Sequence, residues 1–193
     1  MKSIIKATLL ISAGSLALSA CMTVPPPMGV RAEATTMVGG VEMFPTRNII
    51  ENAVNSADHT TLVAAVKAAG LVDTLSGPGP FTVFAPTNAA FAKLPAGTVD
   101  SLLQPANKAM LQSVLTYHVV PGRLTSADLM SQIRAGGGSA RLTTVNGAVL
   151  TARMMNGGII LVDGKGRTSH VTHANVMQSN GVIHVTDTVS LPG

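Results

Sequence analysis

The amino-acid sequence predicts an α+β fold with a helix-rich first half and a strand-rich second half. Apolar residues recur at helical spacing before residue 136, whereas two Asn-Gly turns separate strand-like runs after it. One isolated strand-like run in the first half can join the later strands in a sheet. Runs of helices followed by runs of strands are typical of α+β proteins. Hydrophobic residues make up 46% of the chain and aromatic residues only 3%, so we expect an aliphatic core.

The first twenty residues, MKSIIKATLLISAGSLALSA, predict a secretory signal peptide over residues 1–20. Lys2 and Lys6 give the positive start, and an apolar run from Ala7 to Leu18 follows before small residues. This run is too short to span a bilayer as a transmembrane helix. The alternative, an ordinary apolar N-terminal helix, does not account for this order of charge, apolar run and small residues.

Cys21 follows directly, and LSAC resembles the bacterial lipobox, in which the cysteine is lipidated and becomes the mature N-terminus. As the single cysteine of the chain it has no internal disulfide partner. We therefore expect a lipid anchor in a membrane, and by analogy Met22 favours the outer membrane or cell surface. The alternative is simple cleavage after Ala20, which would release a soluble periplasmic or extracellular protein.

Residues 21–45 are predicted to form a lipidated, proline-rich tether, with the globular domain spanning residues 46–193. The three prolines at 25–27 favour an extended polyproline conformation. Spaced methionines can bind Cu(I), but no histidine or cysteine joins them, so a plain spacer is the simpler interpretation. These methionines are Met22, Met28, Met37 and Met43.

The first half of the domain predicts short helices around a single strand. Asp58 is the expected N-cap of a helix that Gly70 ends. Thr87 or Asn88 is expected to cap the helix after the strand, and Thr125 or Ser126 the last helix. The predicted helical segments are 48–70 in two pieces, 88–94, 98–104, 107–119 and 126–133, and the strand is 81–85.

The second half predicts a series of antiparallel strands. Asn146-Gly147 and Asn156-Gly157 each lie between strand-like runs, and Asn-Gly in that context is a strong hairpin signal. Two further strands are expected in SHVTHANV and GVIHVTDTVSL, joined by MQSNG.

Three motifs make the chain similar to the fasciclin domain family over residues 46–192. They are GPFTVFAPTNAAFAKLP at 79–95, LTYHVVPG at 115–122 and NGVIHVTDTVSLP at 180–192. The resemblance implies a compact wedge of short β-strands surrounded by short helices, in secreted or surface-anchored proteins associated with cell adhesion. It implies no catalytic activity and no cofactor. The family often has Asp where this chain has Asn88, which removes a charge but keeps a capping side chain.

Tyr117 and His118 are neighbours with different expected roles. His118 shares an apolar helix face with Leu111, Val114 and Leu115, so it is expected to be buried and hydrogen-bonded. The resemblance favours Thr87 or Asn88 as its partner. Tyr117 lies about a hundred degrees round the helix, so its hydroxyl is expected to reach outward, which makes it a candidate partner contact.

The remaining histidines and carboxylates point to neither a metal site nor a catalytic site. His170 and His173 have H-x-x-H spacing, but in a strand they would face opposite sides. His184 alternates with Ile183 and Val185 and is expected to be a hydrogen-bonded strand histidine. No G-x-S-x-G motif occurs, so we expect no catalytic, metal or cofactor residues.

The predicted function is that of a non-enzymatic surface or envelope lipoprotein. Its domain would mediate cell adhesion or the binding of matrix, protein or glycan. The alternative is a periplasm-facing binding or stress-linked module that engages a small ligand or an envelope component. The formal net charge is +4, but without Lys2 and Lys6 the excess of basic residues is small, and no basic run suggests nucleic-acid binding.

Overall fold

The computed structural model describes residues 35–193, which belong to one compact unit. The predicted signal peptide, Cys21 and most of the predicted tether lie outside the described residues. The helices are α1 Ile49–Ala53, α2 Thr60–Ala69, α3 Val72–Ser76, α4 Asn88–Ala92, α5 Thr98–Leu103, α6 Lys108–Tyr117 and α7 Ser126–Ala135. The strands are β1 Thr36–Val38, β2 Val41–Met43, β3 Phe81–Pro86, β4 Val119–Pro121, β5 Ser139–Thr143, β6 Val149–Met155, β7 Gly158–Val162, β8 Thr168–Gln178 and β9 Gly181–Thr186.

Seven of the strands form one sheet, in the order β4-β3-β9-β8-β7-β6-β5. Neighbouring strands are antiparallel except β3 and β9, which run parallel. The sheet curls into a near-barrel, and the backbone N–H of Val145 donates to the carbonyl oxygen of Val119 at 2.8 Å between the two ends of the strand order. The predicted α+β class, with helices first and strands later, is confirmed.

Two apolar clusters lie on opposite faces of the central strands. In β9, Ile183 and Val185 pack into the cluster formed with α1, α2 and α6. In β3, Phe84 points to the other side, into the cluster formed with α7 and strands β5 to β7. Both faces of these strands are therefore buried, because helices cover one face and the curled sheet encloses the other.

The helix starts follow the sequence in most places. Thr125 caps α7 and exchanges hydrogen bonds with Asp128 in a capping box. Gly70 ends α2 in the left-handed conformation, at φ 73°. The prediction that Asp58 caps α2 is wrong, because Asp58 lies in a 3₁₀ turn over Ala57–His59 that precedes the helix.

The Asn-Gly turns lie where the sequence predicts them. Asn156 and Gly157 join β6 to β7, with φ of 50° and 80°. A tight type I′ turn requires positive φ at both central residues, which Asn and Gly tolerate. Gly147, at φ 84°, lies in the longer connection between β5 and β6.

The N-terminal hairpin is the main difference from the predicted organisation. β1 and β2 form a two-stranded sheet across Gly39 and Gly40, within the segment that the sequence assigns to the tether. Val38 and Met43 are each 3% exposed and belong to the helical-side cluster. Two apolar residues on one face of a short hairpin can be buried together, so the packed domain includes residues before the predicted start at 46.

Replacing Met43 with alanine should lower the free energy of unfolding by about 2–5 kcal/mol, because it removes a buried side chain and leaves a cavity. Met37, 55% exposed in the same hairpin, provides the matched control. Met37→Ala should change stability by less than about 0.5 kcal/mol. Urea unfolding of both variants measures the difference, and equal stabilities would show that the hairpin is not part of the domain core.

Candidate functional site

Tyr117 is the last residue of α6, and its side chain is fully buried. Its hydroxyl donates to the carbonyl oxygen of Val149 at 3.0 Å and accepts from the backbone N–H of Gly164 at 3.1 Å. The prediction that this hydroxyl reaches outward as a partner contact is wrong. The sheet curls over the end of α6, so the phenol links the start of β6 to the connection between β7 and β8 from inside.

His118 is buried as the helix pattern indicates, but its partners differ from those expected. Nδ1 donates to the carbonyl oxygen of Val114 at 2.8 Å, and Nε2 accepts from the backbone N–H of Ser190 at 3.0 Å. The expected bond to Thr87 or Asn88 is absent from the described residues, because the ring faces the segment after β9. With one nitrogen donating and the other accepting, the imidazole is neutral, and burial lowers its pKa.

Asp163 fixes the same C-terminal segment from the other side, a role that the sequence reasoning missed. Oδ1 accepts the backbone N–H groups of Lys165 and Arg167, and Oδ2 accepts that of Leu191 at 3.0 Å. The Arg167 guanidinium lies 2.7 Å from Oδ2. Burial alone would raise the pKa of this carboxyl, but the bonds from Leu191 and Arg167 outweigh burial and hold the pKa below its ordinary value.

His184 ties β9 to the start of α7. Nε2 donates to the carbonyl oxygen of Leu124 at 2.8 Å, and Nδ1 lies 3.4 Å from the backbone nitrogen of Asn175. Its ring stacks on Phe84 with centroids 5.6 Å apart, and burial lowers its pKa. The Asn175 side chain accepts from the backbone N–H of Ser126 at 2.7 Å, so the whole arrangement orders the helix start.

Thr87 and Asn88 act on two different helices. Thr87 is the N-cap of α4, and its hydroxyl accepts from the backbone N–H of Ala90. The side-chain oxygen of Asn88, Oδ1, accepts from the backbone N–H of Thr61 at 3.0 Å. Asn88 therefore caps α2 from outside that helix. Its amide also donates to the carbonyl oxygen of Ala57 at 2.8 Å, a bond that an aspartate carboxylate cannot make.

His170 and His173 lie in β8 and are exposed. His170 Nδ1 is 3.4 Å from Asp187, whereas His173 Nδ1 is 3.4 Å from the hydroxyl of its neighbour Thr172. Within residues 35–193, no three histidine, cysteine or acidic side chains are grouped as a metal site would require.

An apolar cleft lies among α1, α2, α3 and β3, and aliphatic side chains form almost all of its lining. His118 contributes to the lining, but both of its ring nitrogens are already hydrogen-bonded. Catalytic pockets combine apolar walls with a few polar groups that converge on the substrate. This cleft shows no such arrangement, and nothing positive in the described residues points to catalysis.

Comparison with known proteins agrees with this fold. The family model described as "Fasciclin domain" matches residues 57–192. The chain is 47% identical over 160 residues to Protein sll1483 of Synechocystis sp., covering 83% of this chain and 82% of that protein. It is 34% identical over 166 residues to cell surface glycolipoprotein MPB83 of Mycobacterium bovis, covering 83% of this chain and 68% of that protein.

A solved structure shows the same fold. It contains a FAS1 domain pair from the insect cell adhesion molecule fasciclin I, and it matches with a TM-score of 0.67 at 19% identity. The match covers 76% of this chain and 51% of the other, so this chain spans about half of that pair. Taken with the family match, the chain belongs to the fasciclin domain family, and it holds one such domain.

Replacing His118 with alanine should lower the free energy of unfolding by about 1–3 kcal/mol, because the buried N–H of Ser190 loses its acceptor. His173→Ala is the matched control, since that side chain is exposed, and it should be nearly neutral. Thermal melting of both variants distinguishes the two positions. An unchanged melting temperature for His118→Ala would contradict the structural role.

Stability should fall as the pH drops below about 6.5. Burial lowers the pKa of His59, His118 and His184, so above this pH all three are neutral in both states. Below it the unfolded chain takes up protons that the folded chain excludes, which favours unfolding by up to about 1.4 kcal/mol per pH unit for each histidine. Urea titrations between pH 5 and 8 measure this loss, and a flat profile would contradict it.

Proposed function

We propose that this protein is an exported, lipid-anchored envelope module that binds a protein or glycan and thereby promotes adhesion or matrix contact. The fasciclin domain match over residues 57–192 carries the proposal. The side chains of Tyr117, His118 and His184 are buried and hydrogen-bonded within the domain. They are therefore not available to a partner, which supports recognition through the surface of the domain. No catalytic residue, metal or cofactor forms part of the proposal.

The anchor rests on Cys21 and the lipobox-like LSAC. One similar protein is itself named a cell surface glycolipoprotein, which supports the same arrangement here. Two acyl chains on the cysteine would give stable membrane attachment. Among the helices of the described residues, none is long and apolar enough to cross a bilayer.

A palmitate analogue supplied to growing cells should label the wild-type chain and not the Cys21→Ala variant, because the lipid is attached through that thiol. Met22→Ala keeps the cysteine and serves as the control that retains the label. Label on Cys21→Ala equal to the wild type would show that the anchor is wrong.

Adhesion is tested by deleting the protein and restoring it as the wild type or as Cys21→Ala. We expect attachment and aggregation to fall on deletion and to return only with the wild type. Protease treatment of intact cells should cut the domain if it faces outward. Protection from protease, with attachment unchanged on deletion, would instead support the alternative of a periplasm-facing module that engages a small ligand or an envelope component.

A further inference from the structure

Positive charge is concentrated in the strand-rich part of the domain. Residues 134–170 contain five basic residues and one acidic residue, whereas the rest of residues 35–193 contains five basic and seven acidic residues. The acidic residue of the basic segment, Asp163, is buried and paired with Arg167. The basic excess of this segment therefore faces solvent without acidic neighbours from its own strands.

Arg134 lies in α7 and Lys165 in the connection between β7 and β8. The strand register places the other two unpaired basic residues, Arg141 and Arg153, on the outer face of the sheet formed by β5 to β8. Arg141 pairs with Thr151 and Arg153 with Ser139, and the inner positions between them are buried. Arg153 is thus the diagonal neighbour of Arg141 on the same face, about 7–8 Å away. Two rows of side chains result on this face, each with one apolar member from β7, which are Arg141, Thr151, Val162, Thr168 and Ser139, Arg153, Ile160, His170.

The side chains of Arg141 and Arg153 take no part in the polar interactions that stabilise the described domain. Both are exposed, and neither makes an ion pair or a side-chain hydrogen bond with any other described residue. Arg153 pairs with Ile160 of β7, which is buried. The aliphatic part of the Arg153 side chain can therefore lie beside an apolar side chain. The guanidinium groups remain free for a ligand.

A groove continues from this face toward α7. Gln132 at the end of α7 and Ser139 and Arg141 of β5 contribute to its lining. On the opposite side the positive region ends at His170, which already contacts Asp187. The surface is therefore a strip that runs from the groove across β5, β6 and β7, with hydroxyl side chains beside each arginine.

We propose that this strip binds an acidic polysaccharide, with Arg141 and Arg153 contacting successive carboxylate or sulfate groups and the threonine and serine hydroxyls contacting sugar hydroxyls. Guanidinium groups bind planar anions through paired hydrogen bonds. The inference rests on the proposed function as a binding module, and it names the surface and the class of partner.

Two other polyanions fit the strip less well. Single-stranded nucleic acid is held by aromatic side chains that stack on bases, and every aromatic residue in the described part is buried or half-buried. Insertion at a membrane interface needs a projecting apolar or aromatic edge beside the basic residues. Here Ser139 and Thr151 lie beside the arginines, and the exposed apolar side chains on this face, Val149 and Met155, stand apart at the two ends of β6.

The test compares two variants of the full chain, purified in a neutral detergent. The first is Arg141→Gln with Arg153→Gln. The control is Lys67→Gln with Lys108→Gln, which removes the same charge from exposed positions on the helical side. Binding to heparin and to polygalacturonate is measured by calorimetry, with dextran as the uncharged polymer, and melting curves verify that both variants are folded.

We expect the wild type to bind heparin or polygalacturonate, more weakly as salt rises, and not dextran. The arginine variant should bind at least about tenfold more weakly, and the lysine control less than about twofold, since a bond to a charged group is lost only in the first. Equal losses in both variants, or no binding to either acidic polymer, would overturn the proposal.

Vesicles of phosphatidylcholine with phosphatidylglycerol provide the remaining comparison. Arginine-dependent binding to these vesicles without binding to the acidic polymers would assign the strip to the membrane and overturn the proposal. If cells attach through the protein but the purified chain does not bind the acidic polymers, this inference is wrong and the proposed adhesion role still stands. Unchanged attachment on deletion would count against the proposed adhesion role independently of the polymer result.

Discussion

The parallel pairing of β3 with β9 is the constraint on which the rest of the domain depends. Phe81 pairs with Gly181 and the register continues to Pro86 with Thr186, so the first and last sequence motifs lie side by side. Residues far apart in sequence must meet before this pair forms, which makes it costly in loop-closure entropy. Burial of both faces offsets that cost, with helices on one side and the curled antiparallel strands on the other.

The buried polar residues follow from this pairing. The ring of Phe84 in β3 stacks on the ring of His184 in β9. The backbone N–H of Phe84 donates to the carbonyl oxygen of His118 at 2.9 Å. Once β9 is fixed, the chain beyond it runs past the end of α6. There His118 accepts a hydrogen bond from the backbone N–H of Ser190, and Asp163 accepts one from the backbone N–H of Leu191. A buried polar group without a partner is costly, so these side chains stabilise one arrangement of the C-terminal segment.

The sequence predicts what is local and misses what depends on tertiary packing. The fold class, the Asn-Gly turns and the Thr87 and Thr125 caps rest on spacing and turn chemistry within a few residues. The burial of Tyr117 and the bond between His118 and Ser190 depend on where the sheet curls, which no periodicity within α6 reveals. The hairpin at residues 36–43 was also missed, because two three-residue strands leave too short a pattern to separate them from a tether.

This division between interior and surface also bears on function. The motif residues Asn88, His118 and His184 make internal hydrogen bonds, so they stabilise the scaffold. In the proposed function, recognition therefore falls to exposed positions that the scaffold holds in place. Arg141 and Arg153 meet that description, because their backbones are fixed by the sheet register while their side chains lack partners in the described part of the domain. Because the sheet already fixes the two backbones, binding has to order only the arginine side chains, and in the proposed interaction the spacing of the two charges selects the acidic polymer.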